Sequence, residues 1–133
     1  MRYIVIGRHR FTPVQIQLLQ KLGLTEEVAR VQQISDVADV LKLAKEKGAD
    51  AIVIQALPMH LLAQLLTVAN RANIPVYGFR IEAVTIVPIT QRCPAEADVE
   101  IPDPRSGNKR CSKTLALQRL KRIVVEAEDV ATV

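Results

Sequence analysis

Three short β-branched runs, legible helices between them and a Pro-rich stretch behind them predict a small α/β domain. The class they indicate is a Rossmann-like or flavodoxin-like three-layer fold with a mainly parallel sheet and an irregular C-terminal extension ending in a strand. The runs are Arg2–Ile6, Ala51–Ile54 and residues 75–79. None alternates cleanly between apolar and polar residues, which is the pattern of strands covered on both faces. Four parallel strands in the order 2-1-3-4 satisfy the right-handed crossovers. Residues 1–90 are read as the α/β core and residues 91–133 as an extension of the same domain.

The first strand stops at Gly7. Thr12 and Pro13 then read as a helix N-cap followed by proline at the first helical position, and Val14, Ile16, Leu18, Leu19 and Leu22 lead to Gly23, a residue suited to a left-handed end. A helix is expected over about residues 13–22. Residues 28–34 are assigned to a strand because the spacing between the first and second helices needs one, although Thr25, Glu26 and Glu27 would also cap a helical turn. Ser35 opens a second helix, in which Val37, Val40, Leu41 and Ala44 fall at i, i+3, i+4 and i+7 and Gly48 closes the run. The third helix begins near Pro58, carries Leu62, Leu65, Leu66 and Ala69, and ends at Asn73 before Ile74 and Pro75. Leu61 and Val68 widen its apolar face, which suits burial on two sides, within the domain or against a second copy.

Past residue 80 the composition changes. Residues 81–89 are strand-like, Pro88, Pro94, Pro102 and Pro104 mark an irregular stretch, and residues 103–110 read as an exposed turn or loop. Residues 114–122 fit a short helix through Leu117, Leu120 and Val124, and fit a strand through Leu115, Leu117 and Ile123 about equally. Residues 122–130 read as a terminal strand that either closes an edge of its own sheet or crosses to a second subunit.

The 133 residues hold 18 Lys and Arg against 14 Asp and Glu, a net charge of +4 that is too mild to name a partner by itself. No apolar run approaches the roughly 20 residues needed to cross a bilayer, so no membrane association is expected. Met1 to Gly7 carry a short apolar stretch that Arg8, His9 and Arg10 interrupt, unlike a secretory signal, and the expected location is cytoplasmic. Cys93 and Cys111 have no Cys-x-x-Cys spacing and no flanking histidine, so free thiols are expected, with no disulfide framework, metal site or cofactor.

In an open parallel sheet, ligands sit outside the carboxyl ends of the strands, where the strand order reverses. With the order 2-1-3-4 that point lies between the first and third strands. The residues brought there are Arg8, His9, Arg10, Thr12, Gln55, His60 and Arg80, with Glu82 the only acid nearby. The arginines would pair with an anion, Thr12 and the helix N-termini would complete its shell, and Gln55 would contact a neutral part of the ligand. The expectation is an anionic small molecule, a nucleotide among the candidates, bound by a homodimer or higher oligomer. A non-catalytic oligomeric interaction protein is the alternative. A metal-independent nuclease or hydrolase using His9 or His60 is a further one.

Several activities lack their motifs. No Gly-x-Gly-x-x-Gly follows the first strand, no Gly-Lys-Ser/Thr occurs, and none of the first four strands ends in a carboxylate. Ser35, Ser106 and Ser112 are the only serines, and none lies in a nucleophile elbow. Cys93 and Cys111 have basic neighbours in Arg92, Arg110 and Lys113, which is the one argument for a reactive thiol. Seven basic residues and no acid lie between Arg105 and Arg122; Arg105, Lys109, Arg110 and Lys113 are candidates for non-specific contact with nucleic-acid phosphates. No aromatic residue follows Phe79, so base stacking is not expected.

The frame Gly48-Ala49-Asp50-Ala51-Ile52-Val53-Ile54 through Ala72-Asn73-Ile74-Pro75-Val76-Tyr77-Gly78 resembles the strand-helix-strand unit of the periplasmic-binding and LacI-like ligand domains. It covers residues 48–78 and implies a doubly wound unit, with no function attached. A looser similarity is to small Rossmann-like domains that sense cyclic oligonucleotides, which dimerise and bind a phosphate-rich ligand at the strand ends.

Overall fold

A computed structural model gives the architecture, and it describes residues 1–124 and 126–133. The elements run β1 (Arg2–Ile6), α1 (Pro13–Lys21), β2 (Glu26–Val31), α2 (Val37–Lys47), β3 (Ala51–Ile54), α3 (Met59–Arg71), β4 (Val76–Pro88), β5 (Val99–Asp103) and β6 (Asn108–Leu120). The six strands of the described residues form one sheet in the order β2-β1-β3-β4-β6-β5.

The helices form where capping chemistry allows. Thr12 and Gln15 make a reciprocal capping box at α1, the Thr12 hydroxyl accepting from the Gln15 N–H at 3.3 Å and the Gln15 side chain accepting from the Thr12 N–H at 3.1 Å. Asp36, one position after the expected Ser35, caps α2 by accepting from the Ala38 N–H at 2.9 Å. Gly48 closes α2 at φ +62°, and Asn73, at φ +58°, follows α3. The first helix stops at Lys21, the third spans Met59–Arg71, and β2 begins at Glu26, two residues before the expected start.

β1 and β3 read as continuous apolar runs because both their faces are covered. On one face, Ile6, Ile52, Ile54 and Val76 pack with Val37 and Val40 of α2 and Leu61, Leu65, Leu66 and Ala69 of α3. On the other, Tyr3, Val5, Ala51 and Val53 pack with Leu19 and Leu24, joined by Phe11, Tyr77, Phe79 and Leu117.

The expected fold class is overturned. The sheet is mixed and curls into a half-barrel with few helices, and is neither mainly parallel nor a three-layer Rossmann-like α/β fold. Only β2, β1, β3 and the first residues of β4 pair in parallel. Beyond Gly78, β4 continues without a break to Pro88 and is matched along its whole length by β6, from Val76 opposite Leu120 to Pro88 opposite Asn108. Residues 76–79 and 81–88 of the two pieces read separately belong to one 13-residue strand, Val76–Pro88, whose polarity changes at Arg80 and Glu82. Bulges between Arg80 and Ile81 and between Ala83 and Thr85 bend it. This antiparallel ladder exceeds the parallel ones, which is the physical reason for the mixed class.

Three further expectations change. Residues 114–122 are strand through Leu120, and residues 108–110, expected in a loop, open that strand. The turn from β5 to β6 spans residues 104–107, with Gly107 at φ +72°. Cys93 and Cys111 are not free thiols; they form a disulfide that ties the β4–β5 connection to β6. Residues 122–124 and 126–130, expected as a terminal strand, carry none, and Val125, part of that expectation, lies outside the described residues. Among the described residues, no helix is long and apolar enough to cross a membrane.

Candidate functional site

A cleft of about 670 Å³ opens at the carboxyl ends of β1, β2 and β3. Ile6, Gly7, Arg8 and His9 line it from β1, Gln32, Gln33 and Ile34 from the end of β2, and Ala56, Leu57 and Pro58 from the end of β3. The volume is that of a small-molecule site. Among the described residues, no acidic side chain lines it. A second hollow of about 350 Å³ lies next to it between β2 and α2, sharing Gln33 and Ile34 and adding Asp39, Lys42 and Glu46.

Helix termini decide where an anion is favoured. The side chains of Thr12 and Asp36 cap α1 and α2, whereas α3 starts at Pro58 with no side-chain cap. Its first N–H groups therefore lack the partners that the other two helices supply from their own side chains. That start borders the cleft through Leu57 and Pro58.

The seven residues that the sequence nominates separate into groups. Arg8 and His9 line the cleft, and both are exposed. Arg10 is exposed on the same loop, and His60 is exposed in the first turn of α3. Among the described residues, neither imidazole enters a hydrogen bond or an ion pair with a side chain that would orient it. Arg80 is exposed on β4, where the alternation from Val76 through Gly78 places it on the α2/α3 face.

Thr12 is engaged elsewhere. Its hydroxyl donates to Asp98 Oδ2 at 2.6 Å, and Asp98 also accepts from the Thr114 N–H at 2.6 Å and the Thr114 hydroxyl at 2.9 Å. Gln15 Nε2 donates to Thr114 Oγ1 at 3.1 Å and extends the network. The anion beside the α1 cap is thus the protein's own carboxylate. Burial alone would raise the Asp98 carboxyl, but hydrogen bonds from Thr12 and from the Thr114 backbone and hydroxyl, with its own backbone N–H, together hold it below its ordinary value.

Gln55 lies behind the cleft wall. Its Oε1 accepts from the His9 N–H at 3.0 Å and its Nε2 donates to the His9 carbonyl at 2.6 Å, so one side-chain amide pairs both backbone groups of a loop residue. Gly7 permits this approach: a Cβ there would lie 2.3 Å from Gln55 Oε1 and 2.5 Å from Gln55 Cβ, and its φ of +148° suits glycine.

The sequence reading missed Arg30, Asp98, Gln32 and Gln33. Gln32 and Gln33 follow β2 as Arg8 follows β1, so the strand-end rule reaches them once β2 is placed. Asp98 and Arg30 were missed because the contacts that tie them to the site are distant, 86 residues away at Thr12 and 25 away at Gln55; the nearby Glu27 that pairs with Arg30 marks no site by itself.

The basic run of β6 is partly neutralised. Lys109 pairs with Glu100 at 3.3 Å and Lys113 with Glu82 at 3.8 Å. Among the described residues, Arg105 and Arg110 enter no ion pair, and no group of His, Cys, Asp and Glu is arranged to hold a metal ion. Comparison of the chain with protein-family models, with curated proteins and with solved structures finds no match.

Proposed function

We propose that the cleft at the ends of β1, β2 and β3 binds an anionic small molecule, with a phosphate-bearing compound such as a nucleotide as the class to try first. The observation that carries this reading is a cleft of nucleotide size with no acidic lining among the described residues, lined by Arg8 and His9 and bordered by α3, which starts without a side-chain cap. Arg8 supplies a charged, bidentate donor, and the α3 N–H groups add partial positive charge. Gln32 and Gln33 offer amides to an uncharged part of the ligand, the role first given to Gln55. Arg80 and His60 stand near the same edge as further cations or donors, and Arg10 contributes to the field. Thr12 is left out of this reading because Asp98 holds its hydroxyl.

The test is thermal unfolding across inorganic phosphates, nucleotides and cyclic oligonucleotides. A ligand at 100 times its dissociation constant adds about 2.7 kcal/mol, a readily measured shift. Arg8→Ala is expected to remove about 1.5–3 kcal/mol of binding, as loss of a charged hydrogen bond does. No shift with any anion overturns the reading.

A second reading, self-association as an interaction protein, is favoured by Ile86 and Ile101, which are 67% and 47% exposed on the ribbon of β4, β6 and β5. Ile86 and Ile101 both stand opposite Arg110 and so share one face of that ribbon. Light scattering is expected to give a dimer or higher oligomer that Ile86→Glu dissociates. A monomeric wild-type protein removes this reading. A cytoplasmic location belongs with the first proposal. It requires either that the Cys93–Cys111 link be reduced there or that the protein share the intracellular disulfides found in hyperthermophiles.

A further inference from the structure

The loop from Gly7 to Thr12 would be expected to move if it were only a solvated basic turn, yet it is pinned at two points. Phe11 enters the α1-side core, its ring 6.4 Å from Tyr3 and 5.8 Å from Phe79. His9 is held through its backbone by Gln55. Between and beside these points, Arg8 and Arg10 project as exposed side chains.

Arg30, on β2, completes the hold. Its Nη1 donates to the His9 carbonyl at 2.7 Å and to Gln55 Oε1 at 3.1 Å, so a single nitrogen bridges the loop and the amide that grips it. Its Nε and Nη2 donate to the two carboxylate oxygens of Glu27, at 3.2 and 2.7 Å. The guanidinium also lies over the Phe11 ring, 5.4 Å from its centroid. Nε, Nη1 and Nη2 thus all donate inside the protein, one face of the guanidinium meets the Phe11 ring, and its charge is matched by Glu27. The side chain is about three-quarters covered and does not line the cleft. These contacts suit a residue that fixes other groups and are unsuited to a ligand contact.

We propose that Arg30 is a positioning residue for the cleft: with Gln55 it fixes the backbone at His9 so that the neighbouring Arg8 is presented to the bound anion. The inference rests on the anion reading given above. A side-chain amide here replaces a strand partner for His9, and Arg30 locks the amide by occupying the second acceptor position of its oxygen. Freed of Arg30, Gln55 keeps only its two bonds to His9, the Phe11 ring loses its cation, and Arg8 must be ordered at the moment of binding. Arg30 therefore acts on affinity only through Arg8.

The experiment is a double-mutant cycle read by calorimetric titration with inorganic pyrophosphate, together with amide hydrogen exchange of the ligand-free protein. Arg30→Gln is expected to weaken pyrophosphate binding about tenfold, with no further weakening in an Arg8→Ala background. Exchange of the His9 amide is expected to speed up about tenfold in the same variant, while the amides of β1 and β3 keep their protection. Should Arg30→Gln fold poorly, Arg30→Lys keeps the ion pair with Glu27 and one donor; it is expected to recover part of the affinity and of the His9 protection. An equal loss in both backgrounds overturns the proposal, because Arg30 then acts independently of Arg8. Unchanged His9 exchange overturns it as well. Pyrophosphate that binds neither protein, with His9 exchange still accelerated, refutes the anion reading and reduces Arg30 to a structural clamp.

Discussion

At the scale of single residues, the carboxyl edge of the sheet is built by side chains that bond the backbone. Gly7 is the clearest case, since any Cβ there meets Gln55 at 2.3 Å and the backbone sits at φ +148°. Gly7→Ala is expected to cost about 1–3 kcal/mol in strain alone and to displace Gln55 from His9, which urea unfolding and His9 amide exchange both read. Asp98 is the counterpart on the α1 side. Its carboxyl titrates below its ordinary value of 3.8 in the folded protein, so its stabilisation is complete above the unfolded value and is lost as pH falls through the folded one. Wild-type stability should therefore decline below about pH 4, as the Asp98 contribution is withdrawn. Asp98→Asn is expected to lose about 1–3 kcal/mol at neutral pH and to show a flatter acid limb. An acid limb identical in the two proteins contradicts the assignment. Neither Asp98 nor Arg30 was legible in the sequence, because what makes each of them matter is a partner distant in the chain, Thr12 and Thr114 for Asp98 and His9 and Gln55 for Arg30.

At the scale of elements, legibility followed local chemistry. The Thr12-Pro13 start of α1, the Gly48 end of α2 and the β-branched runs of β1 and β3 were readable because caps and buried strands carry their cause in a few adjacent residues. The order 2-1-3-4 was a choice among those that right-handed crossovers allow, and the parallel part of the sheet has it, although the sheet as a whole is mixed. β4 was not readable as one strand, because its alternation changes at Arg80 and Glu82, where it leaves the helical layers and both faces lose their cover. β6 was ambiguous for a related reason: Leu117, Leu120 and Val124 fit a helical period while Leu115, Leu117 and Ile123 fit a strand, and only the pairing with β4 chooses. The ribbon of β4, β6 and β5 is cross-linked by the disulfide, whose buried Cys111 anchors the connection that begins beyond Pro88. Replacing Cys93 and Cys111 by Ser and Ala together is expected to cost about 3 kcal/mol for a loop of this length. Amide exchange should locate that loss in β5 and the outer half of β6, leaving β1 and β3 protected. By contrast Leu65→Ala, at a fully buried position on α3, is expected to cost about 2–5 kcal/mol and to weaken the whole domain.

At the scale of the whole molecule, the sheet divides the candidate residues. The cleft opens at the carboxyl edge between the strand ends and the start of α3, with Ile6 of the α2/α3 face in its wall, and the Thr12, Asp98 and Thr114 network lies beside α1. A strand-end rule applied to the sequence selects both sets alike, since it fixes the edge of the sheet and leaves the face undetermined. That is why Arg8 and His9 fell in the cleft while Thr12 did not. The long antiparallel ribbon adds a second basic surface, in which Lys109 and Lys113 are paired with glutamates. The proposed anion site therefore has to be told apart from the charge of the ribbon, and the location of binding separates specific recognition from diffuse charge. The most direct measurement is a backbone amide chemical-shift titration of the full chain with inorganic pyrophosphate. Shifts confined to Gly7, Arg8 and His9, Gln32 to Ile34 and the first turn of α3, saturating as one site, are the expected result. Shifts that fall instead on Arg105 to Lys113, or that appear nowhere at millimolar pyrophosphate, would contradict an anion site in the cleft.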